Sequence, residues 1–139
     1  MKVFAVIDTN VLVSALLAKH IDSATVLVLD RIFGGEITPM YDEEILAEYN
    51  DVLRRPKFPF TEESVILVIN AIIETGISAE RVKSSDTIKD PKDVVFFEVA
   101  MSRNDSYLVT GNIKHFPAVA RVVTPTELLD ILTPKEIRQ

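Results

Sequence analysis

The feature that most constrains the fold is the start of the chain, where an apolar run ends abruptly in polar residues. Val3–Ile7 contains five apolar residues, most of them β-branched or aromatic, a pattern typical of a strand buried on both faces of a parallel sheet. Asp8, Thr9 and Asn10 follow directly, and residues 11–17 then have a helix-like pattern. Because open α/β sheets bind ligands just beyond the carboxyl ends of their strands, Asp8 is either the N-cap of this helix or part of a site.

Strand-like and helix-like segments alternate along the rest of the chain, which predicts an α/β layer fold with a central, mainly parallel sheet. Pro39 should place its strand segment at a strand end or at an edge. Further strands are predicted at 37–40, 77–83, 106–110 and 121–123. Further helices are predicted at residues 23–33, between Asp42 and Pro56, at 65–74, from Pro91 to about 102, and after Thr124. The residues predicted to cap the last four of these helices are Asp42, Thr61, Asp90 and Thr124, and Thr124 forms a capping box with Glu127.

The composition predicts one globular domain over residues 1–139. The chain is 47% hydrophobic and 26% charged, without an internal repeat or a linker-like stretch. No apolar run approaches the ~18 residues of a membrane span, and we expect neither a signal peptide nor membrane association. The absence of cysteine excludes disulfides and thiolate metal sites, and favours a cytoplasmic location.

The net charge of −6 argues against a protein that coats nucleic acid through bulk electrostatics. It does not exclude an enzyme that handles nucleic acid at one local site, where bound cations reverse the local sign of the charge.

Helical spacing predicts which further acids face the fold. Glu48 lies roughly 40° from Val52, at the border of its helix's apolar arc. Asp93 lies between Phe97 and Ala100 inside the apolar arc of the next acidic helix, whereas Glu98 points to the other side. Taken singly, Asp93 can be a first-turn acid that offsets the helix dipole, and Glu48 can be a solvated helix residue.

Taken together, these acids point to a cation site. Asp8 and Asn112 end two predicted buried strands, and Glu48 and Asp93 lie on inward helical faces, so the four side chains converge on one end of the sheet. Two like charges ~4 Å apart near a protein surface repel by about 4 kcal/mol, so a cation is needed to offset them. Oxygen ligands without cysteine suit Mg²⁺ or Mn²⁺, which support phosphodiester hydrolysis.

Four blocks of this sequence, in order and spacing, resemble a PIN domain across nearly the whole chain. They are Asp8-Thr9-Asn10, Glu48 in a mid-chain helix, Asp93 after Asp90-Pro91-Lys92, and Leu108-Val109-Thr110-Gly111-Asn112. Leu53-Arg54-Arg55-Pro56-Lys57-Phe58 and Asn112-Ile113-Lys114-His115-Phe116 look like the VapC-like branch, the toxins of toxin–antitoxin pairs.

The resemblance implies a three-layer α/β/α fold and an Mg²⁺- or Mn²⁺-dependent endoribonuclease with an antitoxin partner, acting as a homodimer or higher oligomer. Carried over by motif, Asp8, Glu48 and Asp93 match the acidic metal-binding positions, and Thr9, Asn10 and Thr110 match supporting polar residues. Where many members have a fourth Asp, this chain has Asn112. Its amide oxygen can still ligate a metal, but one negative charge is lost, which leaves one-metal catalysis, weak activity or lost activity open.

The basic residues Arg54, Arg55 and Lys57 have two interpretations, as cations at the negative end of a helix or as contacts to an RNA backbone. Lys114 can join a basic rim around the acids. His115 lacks a partnered nucleophile, which favours a structural or surface role.

Three other classes of protein are alternatives. The sequence fits two of them poorly, because a haloacid-type phosphatase needs an acid at the position of Asn10 and a receiver domain needs a phosphoacceptor Asp that is not evident. The third is a noncatalytic PIN module that binds RNA or a protein partner, which the Asn112 substitution favours.

Overall fold

A computed structural model describes residues 2–133 of the chain. The predicted domain of residues 1–139 also includes Met1 and 134–139, which lie outside the described residues. Across the described part, five strands alternate with six α-helices. In chain order these are β1 (Val3–Ile7), α1 (Thr9–Leu17), α2 (Ala24–Phe33), β2 (Ile37–Tyr41), α3 (Glu43–Leu53), α4 (Glu62–Thr75), β3 (Ile77–Ser78), α5 (Pro91–Ala100), β4 (Ser106–Val109), β5 (Val122–Val123) and α6 (Pro125–Leu132).

The strands form one sheet in the order β3-β2-β1-β4-β5, and every neighbouring pair is parallel. Helices flank this sheet in a three-layer α/β/α arrangement, which confirms the predicted fold class. α5 packs on β1, β2 and β4 and against α3, whereas α2 packs with α4 and α6. None of the helices between residues 2 and 133 is both long and apolar enough to cross a membrane.

The central strand β1 is wholly apolar and is covered on both faces. Ala5, Val6 and Ile7 are fully buried, together with Leu108 and Val109 of the neighbouring β4. The register places Ile7 beside Val109, so the residues that follow the two strands meet at the same edge of the sheet. This edge is where the polar residues of the candidate site lie.

The predicted helix caps are confirmed by their hydrogen bonds. Asp42 accepts from the backbone N–H of Ile45, Thr61 from that of Ser64, and Asp90 from that of Lys92. Thr124 and Glu127 form the reciprocal capping box before α6. Each cap needs only residues three or fewer positions apart, which explains why the sequence predicts it.

Two strand predictions were wrong in their details. The strand predicted at 77–83 contains only Ile77–Ser78, because its pairing partners on β2 are limited to Met40 and Tyr41. Pro39 lies in the middle of β2, which is an interior strand rather than an edge. A proline is tolerated there because β3 begins to pair only at Met40, so β2 has no ladder to maintain on that side at Pro39.

Two helix bounds also differ. α4 begins at Glu62, directly after its Thr61 cap, rather than at residue 65. α5 ends at Ala100 rather than near 102, and the backbone N–H of Met101 then donates to the carbonyl of Phe97.

Candidate active site

Asp8 is a buried carboxylate whose side chain does not cap a helix. It follows β1 directly, is 7% exposed, and makes no capping hydrogen bond to α1. Instead, its Oδ2 accepts hydrogen bonds from Thr110 Oγ1 at 2.8 Å and from Asn10 Nδ2 at 3.1 Å. Asp8 therefore occupies the N-cap position of α1 without a side-chain capping bond, and its assignment to a site stays a prediction.

The residues around Asp8 connect the end of β1 to the end of β4. Asn10 Oδ1 accepts from the backbone N–H of Gly111 at 3.1 Å, and Thr110 Oγ1 accepts from the backbone N–H of Asn112 at 2.9 Å. Asn112 itself is exposed and joins the network through that N–H. The hydrogen bonds from Thr110 and Asn10 both go to Oδ2 of Asp8 and hold it in place. The other carboxylate oxygen, Oδ1, takes no part in these two hydrogen bonds.

Thr9 carries the one buried side-chain polar atom without a hydrogen-bond partner among residues 2–133, its Oγ1. A buried hydroxyl without a partner is uncommon, since its desolvation penalty is about 1–3 kcal/mol. This hydroxyl belongs to the residue that directly follows Asp8 in the sequence.

Glu48 is positioned by its neighbour Tyr49. The fully buried Tyr49 hydroxyl donates to the carbonyl of Ile7, the last residue of β1, and its ring packs on Phe96 of α5 with centroids 6.1 Å apart. Burial, and next the charge of Asp8, raise the pKa of Tyr49 well above its usual value, so the hydroxyl remains a donor. The Glu48 side chain is 21% exposed, and Lys92 Nζ lies 3.9 Å from its Oε1.

Asp93 lies in the first turn of α5, with a side chain that is 18% exposed. Burial raises the pKa of Asp93, and the charges of Asp90 and Glu48 add to this rise. His115 opposes it, because its Nδ1 lies 3.6 Å from Asp93 Oδ2.

The acids of the site act on one another electrostatically. The pKa of Asp8 is raised from 3.8 to about 6, mainly by burial and in smaller part by the charges of Asp93 and Glu48. The hydrogen bonds from Thr110 and from the backbone N–H of Thr9 oppose this rise. Each of the three predicted acids thus lies in the electrostatic field of another, although they come from three separate elements.

The donor chemistry around Asp8 fits a hard divalent cation, although the carboxylates are not drawn into a closed cluster. Within residues 2–133, no three His, Cys, Asp or Glu side chains are arranged closely enough to hold a metal ion as they stand. The side chains joined to Asp8 and the other acids offer carboxylate, hydroxyl and amide oxygens as ligands. Such oxygens are the ligands preferred by Mg²⁺ and Mn²⁺.

The predicted basic residues fall into two groups. Arg54 pairs with Glu62 at 2.8 Å and Arg55 with Asp51 at 2.9 Å, so both guanidinium groups are already partly neutralised. Lys57 Nζ lies 5.1 Å from the centre of the Phe58 ring, which stacks on Phe60. Lys114 instead lies in a short 3₁₀ turn, Ile113–His115, beside Asp93 and a cavity of about 640 Å³.

Glu98 is a residue whose role the sequence did not predict. Its helix spacing places it on the side away from the apolar arc, yet it is 6% exposed. The reason is that the chain between β3 and α5 covers this side of the helix: Arg81 Nη2 lies 2.8 Å from Glu98 Oε1, and the Ser84 N–H donates to its Oε2 at 2.6 Å. Arg81 also forms an ion pair with Glu44 of α3. These ion pairs hold the segment that leads to Asp93 against α3 and α5.

Comparison with known proteins agrees with this geometry. Residues 5–114 match the model of a family described as the PIN domain, which includes every acid of the site. No curated protein matches the chain significantly. The solved structures also contain no significant match. PIN domains are typically nucleases that use divalent metals and act on RNA or DNA. Since the match covers most of its length, the chain belongs to the PIN domain family.

Proposed function

We propose that this chain is an Mg²⁺- or Mn²⁺-dependent endoribonuclease, with Asp8, Glu48 and Asp93 as its catalytic and metal-binding acids. The observation that carries the proposal is the buried Asp8 carboxylate at the carboxyl end of β1, within the field of the other two acids. A buried carboxylate that other carboxylates face is unfavourable unless a cation binds there. Perturbed acids of this kind cluster at functional sites.

The chain's own residues have distinct roles in this proposal. Asp8, Glu48 and Asp93 hold the ion, and the Asn112 amide completes the ligand set. Thr110 and Asn10 orient Asp8 by donating to one of its oxygens, and Tyr49 holds the helix that carries Glu48. The ion would lower the pKa of a water molecule and offset charge on the phosphate. Lys92 lies beside Glu48, and His115 lies beside Asp93.

Asn112 bears on the strength of the activity. An amide oxygen in place of a fourth carboxylate removes one negative charge, which lowers the affinity for a second divalent ion. We therefore propose a site that holds one ion firmly at most. We also propose that residues 1–139 form a single domain.

We further propose a toxin role in a toxin–antitoxin pair, in the cytoplasm, with an antitoxin partner and self-association. Support comes from the VapC-like segments 53–58 and 112–116. The exposed apolar side chains of Ile66 and Leu67 on α4 provide surface that a protein partner would cover.

A second candidate function is a noncatalytic module that binds RNA or a protein. Asn112 favours it, and so does the open arrangement of the acids in the described part of the chain. Both candidates share the fold and differ in whether the acids act chemically.

Cleavage of labelled RNA tests the proposal. We expect the wild type to cleave RNA with Mn²⁺ or Mg²⁺ and to stop in excess EDTA. Asp8→Asn and Asp93→Asn should each reduce the rate by about 100-fold or more, since even the groups that support metal ligands contribute 10- to 100-fold. Asp22→Asn, at an exposed loop acid, is the matched control. RNA binding without cleavage at any metal concentration would favour the noncatalytic module.

Calorimetric titration with Mn²⁺ tests the ligand assignment separately. We expect Asp93→Asn to weaken Mn²⁺ binding, because it removes a charged ligand while keeping the side-chain shape. Unchanged binding in that variant would contradict the role of Asp93 as a ligand.

A further inference from the structure

A cavity of about 640 Å³ opens beside the candidate active site. One wall is formed by residues 86–90, which precede α5, together with Asp93 itself, and the other by residues 114–118 at and after the 3₁₀ turn. Its volume lies in the range of cavities that hold small ligands, which is about 300–1,000 Å³. Because Asp93 lines it, whatever occupies this cavity lies next to one of the proposed catalytic acids.

The cations of this cavity are available to a ligand. Lys89 and Lys114 are exposed, and neither forms an ion pair with any residue from 2 to 133. Two of the lining acids already accept hydrogen bonds, Asp86 from Ser84 Oγ and Asp90 from the Lys92 N–H. Asp86, Asp90 and Asp93 also line the cavity, so its attraction for a phosphate depends on these two ammonium groups, unpaired within residues 2–133, and not on a net positive lining.

The cavity also has an apolar wall. Phe116 is buried and Pro117 partly buried, and both line it together with Ala118. Because Phe116 is only 7% exposed, Pro117 and Ala118 supply most of the accessible apolar surface, against which a planar base attached to a phosphate can pack.

We propose that this cavity is the subsite for one nucleotide of single-stranded RNA adjacent to the bond that is cleaved. Lys89 and Lys114 contact the backbone phosphates, and Pro117 and Ala118 face the base. The inference rests on the proposed ribonuclease function and adds to it the path of the substrate. RNA crosses the edge of the site between α5 and the 3₁₀ turn, and Arg54 and Arg55, which are already paired with acids, contribute little.

Binding of RNA to an inactive protein tests this subsite. The background is Asp8→Asn in EDTA, with a short fluorescein-labelled single-stranded RNA of mixed sequence as the probe and anisotropy as the readout. Lys89→Gln with Lys114→Gln is compared with a control pair, Lys2→Gln with Lys19→Gln, which removes the same charge. Lys2 precedes β1 and Lys19 follows α1, so the control pair lies outside the cavity.

The salt dependence gives a quantitative expectation. Each phosphate contact to single-stranded nucleic acid contributes about 0.7 to the slope of log K against log salt, so the cavity pair should flatten the slope by about 1.4. If the background protein and the cavity pair bind RNA equally at 1 M salt, this difference in slope corresponds to about 25-fold weaker binding by the cavity pair at 0.1 M salt. The control pair should leave the slope unchanged.

A cavity pair that behaves like the control pair would overturn the subsite, as would a complete lack of RNA binding by the background protein. A larger loss from Arg54→Gln with Arg55→Gln than from the cavity pair would also overturn it. Failure of the proposed function is distinguishable, because it appears as no cleavage by the wild type while the lysine-dependent slope persists.

Discussion

The buried charge of Asp8 should make the protein less stable at neutral pH than its Asp8→Asn variant. The pKa of Asp8 is 3.8 in an exposed chain and about 6 in the fold, mainly because of burial. A difference of about 2 pKa units corresponds to about 3 kcal/mol between the protonated and the ionised folded protein.

The sign follows from proton binding. The folded protein holds the Asp8 proton more tightly than the unfolded chain does, so this group stabilises the fold fully below about pH 4. That contribution disappears as the pH rises through about 6, and at pH 8 the fold carries an ionised carboxylate in a buried position. An asparagine avoids this penalty, and its amide oxygen can accept both hydrogen bonds, since Thr110 and Asn10 donate to the same oxygen of Asp8.

Urea unfolding in EDTA, from pH 8 down to about pH 4, measures the effect. We expect Asp8→Asn to raise the free energy of unfolding at pH 8 by up to about 3 kcal/mol and the gain to fall towards zero near pH 4. Asp22→Asn controls for the removal of an exposed acid. A variant that is no more stable than the wild type at pH 8, or a gain that stays constant across the pH range, would refute the reasoning.

Two further predictions concern stability. Gly76→Ala should destabilise the fold by about 3 kcal/mol or more, because a Cβ there would lie 2.3 Å from the Pro39 carbonyl oxygen. Gly111→Ala, whose Cβ would meet its nearest atom at 3.5 Å, is the control, and equal urea midpoints for the two variants would contradict the argument. Glu98→Gln should lower the free energy of unfolding by about 1–3 kcal/mol, because it weakens the hydrogen bonds that the carboxylate accepts from Arg81 and Ser84. It should also speed hydrogen exchange in residues 79–90, whereas a change confined to α5 would argue against the fastening role.

The sequence predicts most of the fold because its signals are local. Caps such as Asp42 and Thr61 act within three residues, and the apolar run of β1 shows by itself that the strand is buried on both faces. β3 could not be predicted correctly because its two residues are a strand only through their pairing with β2. Glu98 was misplaced for the same reason, since the segment that covers it comes from outside its own helix.

The sequence proposes the acids of the candidate site but does not predict their contacts. Helical spacing and strand ends identify Asp8, Glu48 and Asp93 as inward-facing acids. The hydrogen bond from Thr110 to Asp8 depends on the register between β1 and β4, and no local pattern contains that register. The contact of Tyr49 with the end of β1 likewise follows from the packing of α3, so the sequence identifies Tyr49 only as an apolar position.

The position of β1 in the sheet has a consequence for the order in which the protein is made. β1 lies between β2, which follows it within about 40 residues of chain, and β4, which begins at Ser106. On the ribosome, one edge of β1 can pair early, but the other edge must wait until most of the chain has been synthesised. Thr110 reaches Asp8 across 102 positions of sequence, so the site forms only at a late stage of synthesis. A growing chain therefore holds Asp8 without the residue that orients it until the fold is nearly complete.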